Sequence, residues 1–209
     1  MKCGVCGQDY GLTHNCAGVA AFLPPEETAP PPDGFAPLYY FRLAFNIARW
    51  DDVSIRRASR DPNAVLYGAF LWAVSATILL LFALIPHVLR ASNLSGPAAM
   101  IGLAFGLVFG LVVMAILTVV QLALCHFIAK WLLGATGTFA GVMRPLLLGW
   151  FVNLLVLVPV VGLLAASVAW IAVLMLVFEE VDGIGRLQAF LISTAVNVCI
   201  LALQFAIFR

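Results

Sequence analysis

The side chains best suited to chemistry lie at the very start of the chain, in the run MKCGVCGQDYGLTHNCAG, where Cys3, Cys6, His14 and Cys16 gather within fourteen positions. Cys-x-x-Cys with glycines at 4 and 7 makes a tight knuckle whose backbone N–H groups can face the thiolates. His14 and Cys16 then offer the third and fourth ligands of a tetrahedral zinc site. A second Cys-x-x-Cys would be the stronger signature. With His-x-Cys, a redox pair, a disulfide or unliganded thiols remain open, the disulfide being disfavoured if this end faces a reducing cytosol. The expected cofactor is zinc, in a closed knuckle serving structure or docking rather than catalysis.

Two further groups carry polar chemistry inside apolar surroundings. His126 and Lys130 are one helical turn apart at the end of an apolar run, with Arg144 beyond a short hinge. They suit an anionic headgroup or phosphate, but the simpler reading is an interfacial anchor that complements a helix C-terminus. Glu179, Glu180 and Asp182 can pair with Lys130, Arg144 or Arg186 across the same face. Gln121, Asn153, Asn197 and Gln204 interrupt apolar runs, where polar groups are costly and turn toward the bundle interior. Each alone reads as interhelical glue; together they are the candidates for a polar pocket or pathway.

The sequence has no Ser/His/Asp arrangement, no phosphate-binding glycine loop and no His-Glu-x-x-His. No charged residue sits mid-run. The reading is therefore non-enzymatic, and nothing marks a nucleic-acid partner.

The elements that must position these residues follow from composition. Of 209 residues 64% are hydrophobic and 10% charged, against about 25% charged in soluble domains. The apolar runs exceed the roughly 20 residues a helix needs to cross a bilayer, and they lack the alternation of barrel strands. The expected fold is an all-α integral membrane protein with a five-helix transmembrane bundle. Residues 1–18 form the Cys/His segment and residues 19–37, with six prolines, a linker. Residues 38–60 read as one amphipathic interfacial helix with Arg42, Asn46, Arg49, Arg56 and Arg60 on one face. Residues 61–209 form the membrane domain.

Within that domain Asp61-Pro62 is expected to open the first span, about 64–86, which Pro86 and His87 end. The second takes about 98–128. Gly102, Gly106 and Gly110 repeat every four residues in it, a smooth face for another helix of this chain or for a second copy. The charge-free stretch 145–178 is too long for one upright helix and rather short for two. Pro159 and Gly162 near its middle favour spans at about 140–159, with Arg144 snorkelling near its start, and at about 162–178. The last runs about 187–208. Nine Lys and Arg then fall on the N-terminal side and two, Arg90 and Arg209, on the other, so the N-terminus is expected in the cytosol and the C-terminus outside.

Read together, these residues resemble the Yip domain family of multi-spanning membrane proteins, named for interaction with Ypt/Rab GTPases. The likeness covers roughly residues 40–208. It is carried by His126, Ala129, Lys130, Gly134, Gly137 and Phe139 around the hinge, by Pro159 and Gly162, by the charged loop 179–185, and by Arg186 and Ala189. Gly134-Ala135 stands where many members have paired glycines, and the loop after the fourth span has Phe-Glu-Glu in place of the usual Gly-Leu-Arg character. The resemblance implies a five-helix bundle with a cytosolic N-terminus. In eukaryotes the family is linked to vesicle trafficking and membrane shaping. The short loops here look bacterial, which argues against a Rab partner and for a bacterial inner membrane. The sequence thus points to a membrane scaffold whose residues 1–37 recruit a cytosolic protein. A small transporter or channel for a solute, ion or lipid is the alternative, and a polar cavity near Asn153 and Asn197 is the feature that would favour it.

Overall fold

A computed structural model of the chain describes residue 32 and residues 34–90 and 96–207. Cys3, Cys6, His14 and Cys16, with the zinc site expected of them, lie outside the described residues. The chain divides into two units, residues 1–35 and residues 36–209. The second is all helix among its described residues: α1 (Pro37–Ala48), α2 (Asp52–Arg60), α3 (Ala64–Arg90), α4 (Gly96–Leu133), α5 (Phe139–Gly149), the 3₁₀ segment η1 (Trp150–Leu157), α6 (Gly162–Asp182) and α7 (Arg186–Ile207).

Five of these helical stretches are long and apolar enough to span a membrane, α5 and η1 together making the third. This is an integral membrane protein with the five-helix bundle expected. The charge-free stretch does divide in two, at residues 158–161. The first span differs in its end: α3 runs through Pro86 to Arg90. Proline is tolerated inside membrane helices because neighbouring groups re-satisfy the backbone it frees. At 38 residues α4 is about 57 Å long, nearly twice the roughly 30 Å hydrocarbon core, so it tilts or projects beyond it.

Residues 38–60 form two helices rather than one, and the local chemistry explains the break. The Asp51 N–H donates to the Asn46 carbonyl (3.1 Å), and Trp50 takes a left-handed φ of 67°. This is the Schellman ending of α1. Asp51 then caps α2, its carboxylate accepting from the Ser54 N–H at 3.0 Å. Asp61 does not open the first span directly. It closes α2, takes the Asn63 N–H (2.9 Å), and leaves α3 to start at Ala64.

Both short helices pack on the bundle. Tyr40, Leu43, Ala44 and Ile47 of α1 and Ile55 and Ala58 of α2 are buried. Leu38, Phe41 and Phe45 remain exposed on the other face of α1, beside Arg42 and Arg49. A helix that buries one apolar stripe in the bundle and leaves a second beside basic residues suits the membrane interface. The Tyr40 hydroxyl donates to the Asp61 carboxylate (2.7 Å) and its ring stacks on Tyr67 at 3.9 Å. Burial first, then the bond to Asp61, push the Tyr40 hydroxyl above the usual tyrosine pKa. That bond is therefore fully present below the unfolded value of about 10 and weakens only as pH rises through the higher folded value.

Candidate functional site: a polar cavity in one half of the bundle

Successive spans are joined by short connections and so alternate in direction. One end of the bundle carries Leu133, Phe139, Asp182 and Arg186, and α2 is tied to it: Arg56 pairs with Glu180 at 2.5 Å, and Arg144 donates to the Ser59 carbonyl near the end of α2 at 2.7 Å. Call this the near end. Arg144 therefore reaches inward to a helix C-terminus instead of snorkelling. Glu179 pairs with Arg186 (2.7 Å), a largely exposed bridge of small energetic weight.

Asp182 meets His126. Asp182 Oδ2 lies 3.2 Å from His126 Nδ1, and the two residues are 1% and 3% exposed. His126 is thus committed to an internal partner and is not available to a lipid headgroup, while Lys130, one turn on, is exposed. The ring of Phe139 stands 5.8 Å from the imidazole. The Thr136 N–H donates to the Asp182 carbonyl at 3.1 Å. Gly137 lies so close to the Asp182 carboxylate and the Val181 carbonyl that a Cβ would strike both. Residues spread from 126 to 182 are one knot at the near end. Sequence reasoning placed His126 and Asp182 on the same membrane edge but did not pair them. The usable signal was an acid and an imidazole, each at the end of an apolar run, in spans that must both finish on that edge.

The other half of the bundle holds a cavity of about 180 Å³. Its polar lining is Thr118 and Gln121 from α4, Asn153 from η1, Ser167 from α6 and Asn197 from α7. The Gln121 amide donates to the Asn197 side-chain oxygen (3.1 Å), and Asn153 donates to the Trp150 carbonyl (2.8 Å). Gln121 and Asn197 are only 6% and 7% exposed. Each primary amide offers two donors and two acceptor lone pairs. Their mutual bond leaves the Gln121 oxygen and the Asn197 amide with capacity for a further partner. Trp150, Trp170 and Met114 are among its walls, and no charged group contributes among the described residues. The structure thus puts Gln121, Asn153 and Asn197 on one cavity; the Gln204 side chain lies outside what is described. Thr118 and Ser167 were not singled out in the sequence, because hydroxyls in apolar helices normally satisfy themselves on their own backbone.

Chain order fixes where the cavity ends. On three of the lining spans fully buried apolar residues follow toward the near end, Leu122 and Cys125 on α4, Leu146 on α5 and Leu174 and Phe178 on α6, while α7 places Ala189 and the buried Ser193 there. The near half is a packed plug and the far half is open space with amides in it.

The glycine repeat of α4 is used within the chain. A Cβ at Gly106 would stand 3.5 Å from the Leu84 side chain and one at Gly110 2.9 Å from that of Leu80, both on α3, whereas nothing lies within 4 Å of where a Cβ at Gly102 would stand. Among the described residues no cluster of three His, Cys, Asp or Glu side chains has the geometry to hold a metal ion. No family model matches the chain, and neither does a curated protein or a solved structure.

Proposed function

We propose that this membrane protein binds a small, uncharged, hydrogen-bonding solute in its far-half cavity and works as a carrier-type solute transporter without enzymatic activity. The observation that carries this reading is the convergence of five polar side chains from four spanning segments on one cavity with no charged side chain among the described residues that line it. Its volume is more than ten times the roughly 10–15 Å³ one water needs and below the roughly 300–1,000 Å³ of pockets for drug-sized ligands. The packed near half argues for alternating access rather than an open channel. The excess of Lys and Arg on the N-terminal side supports a cytosolic near end, and the short loops support a bacterial inner membrane.

The test uses the full chain in liposomes, with urea and glycerol as probes and light scattering as the readout. Saturable flux of at least one probe is expected, with no ion conductance. Gln121→Leu together with Asn197→Leu should lower it tenfold or more. Flux equal to protein-free liposomes for both probes, or an unaltered double variant, contradicts the reading.

A second reading rests on α1 and α2. Their firm docking makes a platform at the near end directly after residues 1–35, which suits a scaffold of Yip type that presents a zinc knuckle to a cytosolic partner. Zinc content of the purified chain, lost in Cys3→Ser/Cys6→Ser with the bundle still folded, is its expected sign; unchanged zinc in that variant counts against it.

A further inference from the structure

The groove between α1 and the first turns of α3 is separate from the cavity and has a different chemistry. It encloses about 360 Å³ between Leu38 and Phe41 of α1 and Phe70 and Leu71 of α3, over the stacked rings of Tyr40 and Tyr67. Two of its seven lining residues are tyrosines, yet the groove is apolar because both hydroxyls are engaged elsewhere. The Tyr40 hydroxyl is bonded to Asp61 and the Tyr67 hydroxyl accepts the Ala36 N–H at 2.9 Å. What faces the groove is ring and aliphatic surface, with no charged side chain.

Its position identifies the occupant. Leu66, Phe70 and Val74 are exposed at four-residue spacing on α3 and form a stripe of the spanning helix that faces the bilayer. Phe70 belongs to that stripe and to the groove wall, so the groove opens onto the hydrocarbon within two turns of the start of the span. On the α1 side it is bordered by the exposed Leu38 and Phe41 of a helix at interfacial depth. Water gains no hydrogen bonds there, and the neighbouring phase supplies alkyl chains.

We propose that this groove is a lipid seat, holding the upper part of one acyl chain of a phospholipid from the leaflet at the near end. The proposal is independent of the solute reading, since no residue is shared between the two sites.

The experiment is native mass spectrometry of the full chain released from nanodiscs of palmitoyl-oleoyl phosphatidylethanolamine and phosphatidylglycerol. One phospholipid per chain is expected to survive detergent release. Leu38→Trp, which fills the groove from an exposed position, and Phe41→Ser, which removes a wall, should each lower the retained fraction at least fivefold without changing the melting temperature. Val74→Trp, on the same stripe outside the groove, should retain lipid as the wild type does. A wild-type chain that carries no lipid, as when residues 1–31 or a second copy fill the groove instead, overturns the proposal. So does retention in Leu38→Trp and Phe41→Ser equal to wild type.

Discussion

Asp182 and His126 show what a single buried pair does at the edge of a membrane bundle. Neither is tolerated alone where it sits, because a buried charge without a partner is expensive. Thr136, Gly137 and Phe139 of the hinge close around the pair, so the connection between the second and third spans is shaped by the end of the fourth. His126→Leu should cost about 3–5 kcal/mol, since it strands a buried carboxylate. His126→Leu with Asp182→Asn should recover at least half of that, because the remaining group is neutral. Thermal melts of the three proteins in one detergent check this, and strictly additive losses would show that the two residues do not act as a pair. The importance of His126 was legible in the sequence from its place in the hinge; its partner was not. Asp182 lies fifty-six positions away and stands beside two other acids, and only the packing of α6 against α4 selects it.

At the scale of elements, apolar run length gave the spans because a helix rises a fixed 1.5 Å per residue through a core of fixed thickness. It failed where local chemistry competes with periodicity. The basic and aromatic pattern of residues 38–60 is continuous through Trp50, yet Asp51 is a strong N-cap and the chain turns there. The turn at residues 158–161 was legible from Pro159 and Gly162. Gly162 fits because a Cβ would collide with the Leu155 carbonyl. Its strain was not legible: Val160, fully exposed, adopts a φ of 68°, a left-handed conformation that is an outlier for a β-branched residue. Val160→Gly should therefore stabilise the protein by about 1 kcal/mol and raise its melting temperature. An unchanged or lower melting temperature would mean that this turn carries no such strain.

At the largest scale described, the helical bundle of residues 36–207 differs between its two halves. The near half packs buried apolar side chains such as Leu122, Leu146, Leu174 and Phe178 around the acid–imidazole pair, with ion pairs at its rim; far-half side chains leave a space and line it with amides and hydroxyls. The sequence showed which residues were polar inside the spans. It did not show that they converge, because convergence depends on the rotation of four helices about their own axes. The proposed carrier requires a cavity that communicates with the side opposite the N-terminus and is sealed from the other. Asn197→Cys and Ser167→Cys, each in a background without the native cysteines, report on this directly through a membrane-impermeant thiol reagent applied to vesicles of each orientation. The account predicts labelling of both positions from the face opposite the N-terminus and none from the N-terminal face; labelling from the N-terminal face, or from neither, would contradict it.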